Sequence, residues 1–156
     1  MILCAPAELE QAMERYGPMV FRLAYSYTRS RHDAEDLYQE VFLRYFRSRP
    51  RFESEEHRRA WLLRVTVNRC KSHLSSAWVR RTVPLEDRIP MPEPQYSELD
   101  EALRQLSEKD RLVIHLFYYE GCTTKEISAL TGWTEGAVRT RLTRARDRLG
   151  DILKGG

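Results

Sequence analysis

Apolar residues recur every three or four positions through the first part of the chain, which is the spacing of amphipathic helices. The first helical stretch covers 7–28, and Gly17-Pro18 is expected to break it into two. Asp33 is expected to cap a second helix over 34–46. The inner face of that helix carries Leu37, Val41, Phe42, Tyr45 and Phe46.

A proline and several charges predict a loop over 48–57, and helical spacing resumes over 58–75. The pattern then changes, because 77–97 holds four prolines and no consistent apolar spacing. Prolines at that density exclude a helix and favour an extended linker, whose 21 residues could span roughly 70 Å. The predicted fold class is therefore all-α, with two small helical domains at 6–76 and 98–154 joined by the extended linker.

Beyond the linker, a helix pair is predicted over 99–106 and 107–119, with Ser107 as an N-cap and Gly121 as a helix stop. Thr123 and Glu126 then have the spacing of a capping box, which starts a short helix. A glycine-containing turn, Thr131-Gly132-Trp133, precedes Thr134, a candidate cap for the last helix. Two short helices joined in this way predict a helix-turn-helix.

The last helix separates into a core stripe and a polar face. Val138, Leu142, Ala145 and Leu149 form the stripe, and the opposite face holds small residues and arginines. Five arginines stand between 139 and 148 against one acidic residue, although the whole chain of 156 residues carries only +3. Small residues allow close approach to a groove, and arginines bind guanine edges and phosphates. This face is typical of a helix that enters the major groove of DNA; solvated surface arginines are the alternative.

The cysteines and the hydropathy of the chain indicate the cellular compartment in which the protein works. The three cysteines, Cys4, Cys70 and Cys122, form no CxxC pair, which favours buried thiols in a reducing cytoplasm over a disulfide framework. No signal-peptide pattern and no long apolar run is found, so we expect a cytoplasmic protein without membrane insertion. The histidines show no metal-ligand spacing, and no cofactor motif is present.

Several motifs in order along the chain resemble a bacterial RNA polymerase sigma factor of the extracytoplasmic-function (ECF) group. They are Asp-Ala-Glu-Asp-Leu-x-Gln-Glu-Val-Phe at 33–42, Trp61-Leu62-x-x-Val65-x-x-Asn68, the linker, and a final helix-turn-helix ending Val-Arg-x-Arg-Leu-x-Arg-Ala-Arg. An acidic face on a DNA-binding protein is repelled by phosphate, so it should face a protein. The resemblance implies that this helix docks on the β′ clamp of core polymerase through Asp36, Gln39 and Glu40, which are expected to be open to solvent, with Leu37 as packing support.

The resemblance also implies the DNA contacts. Asn68 and Phe52 match positions that bind a flipped base of the −10 element, and neighbouring polar residues, Arg69, Lys71, Ser72 and Ser75, would hold the backbone. The residues matched to −35 bases are Arg139, Thr140, Thr143 and Arg144, with Arg141, Arg146 and Thr124 near phosphates. Many relatives carry Asp or Asn at the position of Ser72 and Arg at that of Ser75, which implies weaker or differently specific downstream contacts here. Some relatives carry a larger side chain at the position of Thr143, which implies a different −35 preference.

The resemblance implies a sigma factor without catalytic activity of its own, nucleoid-associated in the holoenzyme. Its partners would be the β′ clamp and β flap of core polymerase, promoter DNA and an anti-sigma factor. The linker fits this function, because two promoter elements about two helical turns apart lie roughly 70 Å apart. A stand-alone regulator that binds a symmetric operator as a dimer is the main alternative. An enzyme is disfavoured by the lack of any phosphate loop or nucleophile motif.

Overall fold

The computed structural model describes residues 6–73 and 98–155, and helices account for nearly all regular structure there. The chain divides into two compact units, Met1–Met91 and Pro92–Gly156. The linker predicted over 77–97 lies outside the described residues. No helix among those described is both long enough and apolar enough to cross a membrane.

The first unit consists of α1 (Pro6–Thr28), α2 (Arg31–Ser48) and α3 (Glu55–Ser72). Each helix packs against the other two, and the core between them is apolar. Its fully buried side chains include Val20, Leu23, Leu37, Val41, Tyr45, Leu62 and Val67. Burial of these groups holds the outer face of α2 at a fixed position on the unit.

The prediction that Gly17-Pro18 divides the first helix is wrong, because α1 is continuous through Pro18. Proline removes one intrahelical hydrogen bond, and packing against α2 and α3 holds the helix together across that gap. Gly17 is needed because Tyr38 packs closely against α1 at this position, and not because the helix breaks there. A Cβ atom there would lie 2.8 Å from the hydroxyl oxygen of Tyr38, closer than packed atoms approach.

The predicted boundaries of α2 and α3 also need correction. Ser30, not Asp33, caps α2, since the Ser30 hydroxyl accepts a hydrogen bond from the Asp33 backbone N–H at 3.2 Å. The helix extends to Ser48 and ends where Arg49 adopts a left-handed conformation with φ +47°. Ser54 caps α3, so the loop is shorter than the predicted 48–57.

The second unit contains α4 (Glu98–Arg104), α5 (Glu108–Ile114), a π-helical turn (His115–Tyr119), α6 (Thr124–Thr131) and α7 (Glu135–Leu153). Contacts of α7 with α4, α5 and α6 build its core. Buried core residues include Leu103, Leu112, Leu116, Ile127, Val138 and Leu142. The predicted N-caps Ser107, Thr123 and Thr134 are confirmed, each accepting from a backbone N–H three residues ahead.

Candidate protein-docking helix and nucleic-acid interface

The outer face of α2 presents the polar side chains of Gln39 and Glu40 to solvent, while Leu37 is fully buried beneath them. Asp36 differs from the expectation that it would be open, because only 13% of its side chain is exposed. It lies on the first turns of α2, beside the end of α3, where neighbouring side chains cover it. The acidic face is therefore centred on Glu40 rather than spread evenly over the three residues.

Asp36 belongs to a cluster of carboxylates and imidazoles. Its Oδ2 atom lies 3.8 Å from His32 Nε2, and His73 Nε2, just after α3, lies 3.7 Å from Asp33 Oδ1. Neither pair is a hydrogen bond, and Asp36 Oδ2 and the Nε2 atoms of His32 and His73 are buried without a hydrogen-bond partner. Burial raises the pKa of the Asp36 carboxyl above its ordinary value, and attraction to His32 only partly opposes this. The described residues include no group of three such side chains that could hold a metal ion.

Asp36→Asn is expected to stabilise the protein by about 0.5–2 kcal/mol at pH 7, because a buried, unsatisfied negative charge is removed. The raised pKa means that the folded protein binds this proton more tightly than the unfolded chain does. The contribution of Asp36 to wild-type stability therefore falls as pH rises from the usual Asp pKa of about 3.9 through the folded value, so the advantage of Asp36→Asn should vanish in acid. Calorimetric melting of the full chain at several pH values measures this.

The control is Glu14→Gln, which neutralises an exposed carboxylate on α1 of the same unit. Its melting temperature should stay within experimental error of wild type at every pH. A wild-type chain that is more stable than Asp36→Asn at pH 7 would show that the Asp36 charge is favourable where it lies.

Two large apolar side chains continue the exposed face of α2 beyond Glu40. Leu43 is 47% exposed and Phe46 is 40% exposed, and both lie at helical spacing from Gln39 and Glu40. The expectation that Phe46 lies on the inner face is wrong, because 40% of its surface is exposed. Exposed apolar side chains next to polar and acidic groups are found together in protein interfaces, where apolar contacts are bordered by a polar rim.

The candidate −10 residues lie on the last turns of α3. Asn68, Lys71 and Ser72 are exposed, and Arg69 is half-buried. The Ser72 hydroxyl donates to the Asn68 carbonyl oxygen at 2.9 Å, so its hydrogen is used within the helix. Ser75 lies outside the described residues. The structure thus brings three candidate polar side chains to one exposed helix end.

Phe52, in the loop between α2 and α3, is part of an aromatic cluster. The Phe52 ring is half-buried, and its centroid lies 6.0 Å from the ring centroids of Tyr45 and of Trp61. The Arg58 guanidinium carbon lies 5.7 Å from the centroid of the Phe52 ring. These contacts hold the ring in place, as an aromatic platform for a stacked base requires. Trp61 packs in this cluster against both Tyr45 and Phe52.

In the second unit, α6 and α7 form a complete helix-turn-helix. The Thr123 hydroxyl and the Glu126 carboxylate make both hydrogen bonds of the predicted capping box. Gly132 ends α6 with φ +83°, a conformation that only glycine adopts without strain. The Ser128 hydroxyl donates to the Trp133 carbonyl oxygen at 2.6 Å and closes the turn. Local hydrogen bonds thus fix the angle at which α7 leaves the turn.

The exposed face of α7 carries Arg139, Thr140, Thr143 and Arg144 as the sequence suggested. The arginines differ in their partners. Arg139 Nη1 donates to Glu135 Oε1 at 2.9 Å, and Thr124 donates to the same oxygen at 3.3 Å. Arg144 is exposed, and no acidic residue pairs with it among the described parts of the chain. It is therefore the arginine of this face most available to DNA.

Arg141 and Arg146, the candidate phosphate contacts, lie on the flanks of α7 and bind protein groups. Arg141 Nη1 donates to Asp110 Oδ1 at 2.8 Å, and Arg146 donates to the Tyr118 hydroxyl at 3.1 Å. Tyr118 and Arg146 border an apolar groove of about 490 Å³ on the second unit. Its apolar walls are formed by Leu99, Leu103, Ile114, Tyr119, Leu149 and Leu153.

Sequence patterns did not identify Asp110, Glu135, Leu43 or the groove as functional candidates. Glu135 could have been found, since Glu135 and Arg139 have the i,i+4 spacing of helical ion pairs. Asp110 could not, because its partner Arg141 is 31 residues away and no local pattern links them.

Comparison with known proteins gives two family matches. Residues 12–80 match the model of sigma-70 region 2, and residues 96–149 match the model of sigma-70 region 4. A relative from Mycolicibacterium smegmatis, the ECF RNA polymerase sigma factor SigE, is 34% identical over 92% of this chain. The chain spans 61% of the length of that relative. The ECF RNA polymerase sigma factor SigL of Mycobacterium tuberculosis is 32% identical, covering 88% of this chain and 85% of SigL.

Among solved structures, the sigma factor RpoE in its complex with the anti-sigma factor NepR from Bartonella quintana has a TM-score of 0.70. It is 24% identical and covers 94% of this chain and 97% of its own. CnrH in complex with the cytosolic domain of CnrY has a TM-score of 0.65 at 22% identity, covering 97% of this chain and 90% of CnrH. At these identities the likeness establishes a shared fold.

Proposed function

Because the chain belongs to the ECF group of RNA polymerase sigma factors, we propose that it directs core polymerase to promoters through separate protein-docking and DNA-binding surfaces. The observation that carries this proposal is the recognition helix α7, which follows a fully capped turn and exposes Thr140, Thr143 and Arg144 on one face. Arginine is the side chain best suited to bind two acceptors of guanine in the major groove. We assign this face to the −35 element.

The docking surface is the outer face of α2, defined here as Asp36, Gln39, Glu40, Leu43 and Phe46. We propose that it binds the β′ clamp, with Glu40 as the central charge and with Leu43 and Phe46 as apolar contacts. Leu37 supports the face from the core, where it is fully buried. Asp36 lies at the border of this surface, with 13% of its side chain exposed.

The −10 element is assigned to the end of α3 and the loop before it. Asn68 is exposed and can hydrogen-bond to a base edge, while Phe52 provides an aromatic ring held by its neighbours. Arg69, Lys71 and Ser75 are proposed to bind the DNA backbone, and Ser72 would do so by exchanging its hydrogen bond to the Asn68 carbonyl for one to a phosphate. We propose that the domain that binds core polymerase and the −10 element covers 6–76, and that the domain that binds the −35 element covers 98–154. The linker over 77–97 would connect the two.

The apolar groove on the second unit is proposed to dock the β flap of core polymerase. Exposed tyrosine and leucine side chains around a concave apolar surface are suited to an apolar helix of a partner. We further propose that an anti-sigma factor holds the chain inactive in the cytoplasm, as NepR is bound to RpoE in the solved complex. The chain itself would carry no catalytic activity and would be nucleoid-associated in the holoenzyme.

Run-off transcription with purified core polymerase tests the proposed function. Adding the full chain should produce transcripts from promoters identified by sequencing the RNAs that appear on overexpression, and core alone should not. The alternative regulator predicts instead a tight gel shift on a symmetric site without polymerase. No transcript from any of those promoters, together with such a shift, would overturn the proposal.

A further inference from the structure

The recognition helix is joined to α5 by an ion pair that sequence spacing does not suggest. Arg141 Nη1 donates to Asp110 Oδ1 at 2.8 Å, with 35% and 20% of the two side chains exposed. Asp110 is itself held in place, because its backbone N–H donates to the capping hydroxyl of Ser107 at 3.2 Å. The backbone that carries the carboxylate is therefore fixed by the helix cap, and the carboxylate itself is bound to Arg141 of α7.

A second contact holds the same guanidinium. The Arg141 guanidinium carbon lies 5.3 Å from the centroid of the Trp133 ring, within the range of a cation–π interaction. Trp133 lies in the helix-turn-helix turn, which the hydrogen bond from Ser128 closes. Arg141 is thus bound on one side by a carboxylate and on another by an aromatic face.

The pair lies on the surface that faces DNA in the proposed function. Asp110, Trp133 and Arg141 line a cleft of about 490 Å³ whose other walls include Thr140 and Arg144. A phosphate that approached Arg141 here would also approach the Asp110 carboxylate, and the two negative charges would repel each other. Arg144, on the same cleft, has no acidic partner among the described residues and can meet DNA without that cost.

We propose that Asp110 is a positioning residue that retains Arg141 within the second unit and limits the affinity of the protein for DNA backbone. Arg141 then orients the recognition helix instead of binding a phosphate, and DNA affinity depends more strongly on base contacts from Thr140 and Arg144. This rests on the proposed function only in taking α7 as the DNA-binding helix.

The experiment measures binding of the full chain to a labelled mixed-sequence duplex by fluorescence anisotropy over a series of KCl concentrations. Each phosphate contact contributes about −0.9 to the slope of log K against log salt. Asp110→Asn releases Arg141, so the slope should steepen by about 0.9 and the affinity near 0.1 M KCl should rise roughly three- to tenfold. An unchanged slope or weaker binding by a folded Asp110→Asn variant would overturn the proposal.

Three further variants complete the test. Glu108→Gln removes an exposed carboxylate from the same helix turn and should leave the slope unchanged, which controls for net charge. In Asp110→Asn/Arg141→Gln the added affinity should be lost. Arg141→Gln alone should keep the wild-type slope; a slope shallower by about 0.9 would mean that Arg141 already binds phosphate and would refute the proposal even if Asp110→Asn fails to fold.

The duplex contains no promoter and the assay contains no polymerase. A failure of the proposed function would appear as absent run-off transcripts and would not change these slopes. A failure of the Asp110 proposal would leave the Asp110→Asn slope at the wild-type value, or make the Arg141→Gln slope shallower, while promoter-directed transcription by the wild-type chain stayed intact.

Discussion

Glu40→Lys is expected to weaken binding of the full chain to core RNA polymerase by more than about tenfold while leaving the chain folded. Glu40 is exposed at the centre of the docking surface, between Gln39 and Leu43, so its substitution disturbs no core contact. Charge reversal replaces an attraction across the interface with a repulsion, and close interfacial charge pairs are coupled by about 1.5–7 kcal/mol. A loss of more than about tenfold in affinity is therefore expected, measured by titrating labelled chain with purified core polymerase.

Glu14→Lys is the matched control, since it makes the same charge change at an exposed position of α1 in the same unit. Its affinity for core should remain close to that of wild type. Leu43→Ala provides a second measurement, because loss of an exposed apolar contact should weaken docking without changing its salt dependence. Capture of core by Glu40→Lys at wild-type strength would place the docking surface elsewhere.

The parts of the fold that could be predicted from sequence are those fixed by local hydrogen bonds. Ser107, Thr123 and Thr134 cap helices as expected because each cap depends on residues only three positions away. The Gly17-Pro18 prediction failed because local propensity favours a break, while contact with Tyr38 on another helix requires the glycine. Tertiary packing outweighed the local preference there.

The same distinction applies to the candidate site. Helical periodicity correctly placed Glu40, Thr140 and Arg144 on exposed faces, because exposure of those positions depends on the helix alone. It misjudged Asp36, whose burial depends on its surroundings near the end of α3. The pairing of Arg141 with Asp110 likewise joins residues far apart in sequence. Sequence thus locates the exposed faces, while the contacts that modify individual charges require the folded structure.

Arg144→Ala is expected to reduce affinity for the cognate −35 element by about 1–3 kcal/mol, the cost of losing a bidentate contact with guanine. Arg144 should matter more than Arg139, because Glu135 already satisfies part of the Arg139 guanidinium. The measurement compares holoenzyme binding to the promoter found in the run-off assay with binding to the same duplex carrying single base changes in the −35 element. Arg148→Ala, another exposed arginine nearer the end of α7, is the control and should leave the discrimination between the cognate and the altered −35 duplexes unchanged.

The pattern of losses across sequences decides which role Arg144 has. A side chain that reads a base loses most affinity at the cognate element and little on duplexes already altered at the contacted position, so discrimination at that position should relax. A side chain that binds phosphate loses affinity equally on every sequence and makes the salt dependence shallower by about 0.9. Equal losses for Arg144→Ala on cognate and unrelated duplexes would therefore move this residue from base recognition to backbone contact.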